Sequence, residues 1–184
     1  MDVYSRALED QGIPFRIAGG SGFSTSQEMK DLLHVFQSLL DPEDPVKLSA
    51  VLRGGLFGIC DDSLWEFKEA GGCFHIYSQV PTALDTDTGN IFSEAFRRLK
   101  VYREWVRMLP ASAAVAKIML DSGIIPAALA GEQGKAQAGY IVQAKELLAS
   151  AERFGVTSFA ELVSYLETLM DSGIEEELDL YPWD

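Results

Sequence analysis

The chain has 184 residues, 47% of them hydrophobic and 23% charged, with a net charge of −13. That composition suits one globular domain or a domain with an appendage, and no apolar run approaches the ~18 residues of a membrane span. The acidity argues against a free-standing nucleic-acid binder, because Lys and Arg neutralising phosphates supply most non-specific affinity.

In chain order, residues 3–11 read as a short helix with Val3, Ala7 and Leu8 on one side, stopped by Gly12. Ile13 to Ile17 alternates with period two and reads as a short strand, which Pro14 confines to an edge or a strand start. Gly19 to Gly22 is a turn. Thr25-Ser26-Gln27-Glu28 has the pattern of a capping box, a hydroxyl followed three residues later by a carboxylate. Met29, Leu32, Leu33, Phe36, Leu39 and Leu40 follow at helical spacing, up to the break at Asp41-Pro42. A short helix is expected over 46–53. After it come a glycine-rich hairpin from Gly54 to Ile59 and a helix capped by Asp61 or Asp62 with Leu64, Trp65 and Phe67 inside. Residues 71–90 read as irregular, with Asp85 to Asn90 an exposed loop that lacks the ligand spacing of a calcium loop.

A long amphipathic helix is expected over 91–108, with Phe92, Phe96, Leu99 and Val106 inward and Lys100, Arg103 and Arg107 on another face. Helices at 112–122 and 134–154 follow, the second closed by Gly155. Ser158-Phe159-Ala160-Glu161 is another capping box, opening a helix to about residue 170. The chain is thus read as all-α with one short strand near the start. One strand cannot form a sheet, so either it is a remnant whose partners lie outside this chain or it is not a strand.

Charge is uneven. Residues 151–184 hold Arg153 against nine acids, net −8, while 91–107 hold Arg97, Arg98, Lys100, Arg103 and Arg107 against Glu94 and Glu104, net +3. Cys60 and Cys73 lack metal-ligand spacing and are expected as reduced, partly buried thiols. There is no Gly-Lys-Ser/Thr phosphate loop, no Gly-x-Ser-x-Gly elbow and no His-Glu metalloprotease pair. No catalytic, cofactor-binding or metal site is expected in the chain itself. The start shows no signal peptide, so a cytoplasmic setting is expected.

One stretch is distinctive: Tyr4, Ala7-Leu8, Gly12 to Ile17, Gly19-Gly20, Gly22-Phe23, Glu28 and Asp31-Leu32. It resembles the passage in UvrD/Rep-type superfamily 1 DNA helicases where the second motor domain (2A) runs into its inserted accessory domain (2B). A second block, Asp41-Pro42, Asp44, Val51-Leu52-Arg53, Leu56 to Ile59, Asp61 and Leu64, looks like the next part of that insertion. It is more similar to the AddA/RecB exonuclease V branch. A looser third block from Ala144 to Phe154 and from Ser158 to Leu166 agrees.

The resemblance implies that residues 1–22 are a fragment of domain 2A with its hinge and that 23–184 are the accessory domain. It places a hinge at Gly19 and Gly20. The implied parent binds ATP and Mg²⁺ between motor domains outside this chain, and acts on double- and single-stranded DNA in repair and recombination. Its partners would include the chain's other domains and an AddB/RecC-like subunit, with no membrane. The hairpin would touch duplex phosphates through Arg53, Gly55, Gly58 and Ile59, where Gly58 admits a close phosphate approach and the following helix N-terminus is electropositive. The sequence departs from the family pattern there: Cys60 stands where relatives have a second glycine, and Asp61 and Asp62 bring negative charge. Arg97, Lys100, Arg103 and Arg107 form the other expected DNA face. Two alternatives stand beside this reading. One is an independent all-α protein-interaction module; the other is a small DNA-binding enzyme of the helix-hairpin-helix type, which needs a catalytic acid and lysine beside the hairpin, where Lys68 and Glu69 are present but read as a helix surface.

Overall fold

The structure is a computed structural model that describes residues 22–131 and 134–172. The expected first helix, the strand at Ile13–Ile17, the hinge glycines Gly19 and Gly20, and the acidic stretch beyond residue 172 lie outside the described residues.

Within them the chain is all-α. A single turn, α1 (Gly22–Thr25), leads into α2 (Gln27–Leu40), followed by α3 (Pro45–Arg53) and α4 (Asp61–Glu69). The long α5 (Thr86–Met108) precedes α6 (Ala111–Ser122), the short α7 (Ile124–Leu129), α8 (Gly134–Arg153) and α9 (Phe159–Ser172). No helix here is long and apolar enough to cross a membrane.

The caps explain most boundaries. Asp44 accepts the amides of Val46 and Lys47, with Pro45 as the first helical residue of α3. At α9 the capping box forms as expected: the Glu161 amide donates to Ser158 Oγ at 3.2 Å, while the Ser158 and Thr157 amides donate to Glu161 Oε2 at 3.1 Å. Those amides hold the Glu161 carboxyl below its ordinary range. A depressed folded-state pKa stabilises fully above the unfolded glutamate pKa and is lost as pH falls through the folded value. Thermal melts of Glu161→Gln should therefore lie below wild type at neutral pH and converge with it in acid. A constant gap down to pH ~2, well below the free glutamate pKa, would show that the cap does not act through the carboxylate. α8 ends before Gly155, whose φ of 104° suits a glycine C-cap; the Val156 amide then reaches back to the Ala151 carbonyl.

Four sequence expectations are corrected. The N-cap of α2 is Ser26, not Thr25: Ser26 Oγ accepts the Met29 amide and donates to Glu28 Oε2 at 2.7 Å, because Thr25 closes α1 instead. Neither Asp61 nor Asp62 caps α4; Cys60 holds that position, and the two acids occupy the first turn. Asp85 to Asn90 is no loop. Asp85 Oδ1 accepts the Asp87 and Thr88 amides and starts α5 five residues earlier than expected. Gly89 and Asn90 are poor helix formers, but a good cap and a long packed helix carry them. Both cysteines are exposed, not partly buried.

The core is continuous. α2 packs against α1, α3, α5, α8 and α9, and α8 against α6, α7 and α9. Met29, Leu32, Phe36 and Leu39 of α2 are fully covered, as are Phe92, Phe96 and Leu99 of α5. Val106 is only partly buried. Phe36 meets Phe159 edge-to-face at 5.5 Å, and Gln37 donates to Glu167 at 2.7 Å, tying α2 to α9.

Candidate nucleic-acid interface

The glycine-rich segment after α3 is a compact loop built on a buried acid. Asp31 of α2 is 5% exposed. Its Oδ2 accepts the Gly55 amide at 2.7 Å, and its Oδ1 accepts Gln27 Nε2 at 2.8 Å. A Cβ on Gly55 would lie 2.9 Å from Asp31 Oδ2, so the loop comes that close only as glycine. The Phe57 and Gly58 amides donate to the Gly54 carbonyl, and the Ile59 amide donates to Leu52. Gly58 has φ 63° and open space around a hypothetical Cβ, so backbone angle alone selects glycine there. Ile59 is buried in the core.

The four loop residues expected at phosphates are thus adjacent, but their polar groups are occupied internally. The Gly55, Gly58 and Ile59 amides already have acceptors. Arg53 is paired with Asp61, Nε to Oδ1 at 2.8 Å and Nη2 to Oδ2 at 3.1 Å. Both side chains are more than two-thirds exposed, so this fork is worth only about 0–1 kcal/mol. It could open for a stronger anion. At the start of α4, the Ser63 hydroxyl and amide hold the Cys60 thiol below its ordinary range.

The basic residues of α5 separate. Arg97 is forked onto Glu94 at 2.6 and 2.7 Å. Arg103 lies four residues after Leu99 and seven after Phe96, on the buried stripe itself; it turns inward and donates to the Leu39 carbonyl at the end of α2. Arg98, in the sequence one base of this stretch among five, is the hub. It donates to Tyr102 Oη and to the Asp121 carbonyl, each at 2.8 Å, and lies over the Phe57 ring, 5.6 Å from its centroid. Tyr102 donates to Asp121 Oδ2 at 2.8 Å, and burial, with that bond, pushes its hydroxyl well above the ordinary tyrosine range. The Arg98 contact fastens the hairpin to α5 and α6. Lys100 and Arg107, seven residues apart on one face of α5, make no ion pair or side-chain hydrogen bond among the described residues. They are the basic groups of the expected set left available to a phosphate.

Among the described residues no group of three or more His, Cys, Asp or Glu side chains could hold a metal ion. The sequence also lacks a phosphate loop.

No family model matches the chain. Individual proteins do. An ATP-dependent helicase/nuclease subunit of Clostridium acetobutylicum is 22% identical over 171 residues, 90% of this chain and 14% of that protein. Its namesake from Listeria monocytogenes is 26% identical over 101 residues, 53% of this chain and 8% of that one. An ATP-dependent DNA helicase UvrD1 of Mycobacterium leprae is 30% identical over 97 residues, 50% of this chain and 11% of that protein. These likenesses support a relationship to helicases of the UvrD/AddA type. The chain spans only a small part of each relative, 8–14% of their lengths.

Proposed function

We propose that this chain is the helical accessory region of a larger ATP-dependent DNA helicase or helicase–nuclease, and that it helps to engage duplex DNA beside the motor during repair and recombination. The match that carries this reading is the one reaching across 90% of the chain to an ATP-dependent helicase/nuclease. The all-α build agrees with it. ATP and Mg²⁺ would be held by other parts of the parent protein, and an AddB/RecC-like subunit would be its partner. Gly19 and Gly20 would be the hinge to the motor domain.

Lys100 and Arg107 of α5 are the phosphate-contacting pair in this reading. Gly55, Gly58 and Ile59 keep the loop in shape, Arg53 joins as a phosphate ligand once it leaves Asp61, and Arg103 holds the end of α2. The test is a salt titration with a duplex bearing a 3′ single-stranded tail. Wild type should bind more weakly as salt rises. The double variant Lys100→Glu/Arg107→Glu should lower the salt slope by about 2, near 0.9 per lost phosphate contact. Arg103 is left in place, since reversing it would disturb α2. No binding at low salt, or equal binding by the double variant, would overturn duplex engagement by this face.

A further inference from the structure

The outer face of α4 carries a feature that DNA binding leaves unused. Trp65 is 65% exposed. It lines an open groove of about 290 Å³ with Glu66 and Glu69 of α4 and the following Ala70 on one side and Ala83, Leu84 and Asp85 on the other. Trp65, Glu66 and Glu69 project together because residues three and four apart share a helix face, while Phe67, two positions from Trp65, points into the core. Glu66 and Glu69 form no ion pair among the described residues. Asp85 uses its carboxylate to start α5.

We propose that this groove is a docking site for an arginine side chain from a basic segment of a partner protein. A tryptophan indole exposes a broad aromatic face that is stabilised by a cation laid over it. A guanidinium is planar, stacks on such a face and presents forked donors to carboxylates on either side. Lysine carries the charge but neither the plane nor the fork. Tryptophan and arginine are also among the residues that most often dominate protein–protein affinity. The three carboxylates repel phosphate, so nucleic acid and anionic membrane surfaces are disfavoured on this side of the molecule. Phosphate-binding candidates and this groove therefore divide the surface between two opposite chemistries.

The experiment uses the full chain, isotopically labelled, titrated with acetyl-Gly-Arg-Gly-Arg-Gly-amide and with its lysine and citrulline counterparts, followed by amide and indole chemical shifts. The arginine peptide should shift residues 65–70, 83–86 and the Trp65 indole in a saturable way, and the citrulline peptide should not. Trp65→Ala, and separately Glu66→Gln/Glu69→Gln, should weaken binding at least about fivefold. Glu146→Gln, an exposed acid on α8, should leave it unchanged. Trp65 is mostly in solvent, and unchanged melting of Trp65→Ala would confirm that its loss acts on binding alone. Shifts scattered over the acidic surface, an equal effect of Glu146→Gln, or equal affinity for the lysine peptide would overturn the proposal. Duplex DNA shifting the same residues would replace it with a nucleic-acid face.

Discussion

Phe67→Ala should be the most damaging single truncation in the molecule, costing about 3–5 kcal/mol. Phe67 is fully buried. It stacks on Phe92 at 4.2 Å, and it lies 5.3 Å from Phe74 and 5.8 Å from Phe96. Removing the ring loses its transfer free energy, leaves a cavity in a close-packed interior and breaks aromatic pairs worth about 0.5–1.5 kcal/mol each beyond area burial. It is also the one fully buried side chain of α4, where Leu64 packs partly buried against the core and Trp65 faces solvent. Against a total stability of roughly 5–15 kcal/mol, such a loss should lower the melting temperature by roughly 10 °C or more. Phe67→Leu, which keeps most of the volume, should recover much of it. A urea midpoint nearly unchanged in Phe67→Ala would show that α4 is not anchored through this ring.

The second large effect is expected at Asp31. Asp31→Ala should cost about 2–3 kcal/mol, because it leaves the Gly55 amide and Gln27 without their charged acceptor. The cost is offset in part by no longer desolvating a carboxylate. Asp31→Asn keeps a carbonyl oxygen of the same shape and should lose about half as much. The local readout is hydrogen exchange: the Gly55 amide should lose protection in Asp31→Ala while amides in α8 keep theirs. If Gly55 protection survives, the loop holds its shape without Asp31. Such a result would weaken the view that the hairpin is a rigid platform. Duplex affinity should fall in parallel only if the loop itself meets DNA; if Lys100 and Arg107 are the contacts, affinity should hold while stability drops.

Asp31 also shows how much of the site was legible in the sequence. It was visible as part of the Glu28-x-x-Asp31 pattern, and it recurs with Val35 and Ser38 at helical spacing on the buried stripe of α2. A charged residue on an apolar stripe signals an internal hydrogen-bonding duty, but the acceptor's partner, Gly55, is 24 residues away. Arg103 is expected with Lys100 and Arg107 on an outward face, although it falls four residues after the inward Leu99; the carbonyl it serves, Leu39, is 64 residues back. Trp65 was misplaced although its position two residues from Phe67 already set it on the opposite side of α4. Arg98 reads in the sequence only as one more base of the α5 face, because its partners Phe57 and Asp121 come from two other elements.

The sequence by itself determined the all-α class, the spans of α2, α3, α6, α8 and α9 to within a residue or two, the Ser158–Glu161 box and the inward places of Phe92, Phe96 and Leu99 on α5. These follow from interactions within about one helical turn: apolar periodicity, capping side chains and breaking residues. Tertiary structure alone decided which cations are consumed internally and which remain outward, and that the glycine loop's amides are already bonded. It also decided that a tryptophan and two unpaired glutamates share a groove. Those outcomes depend on contacts between residues far apart in the chain, whose energies of a few kcal/mol are set by which faces meet once the core has closed.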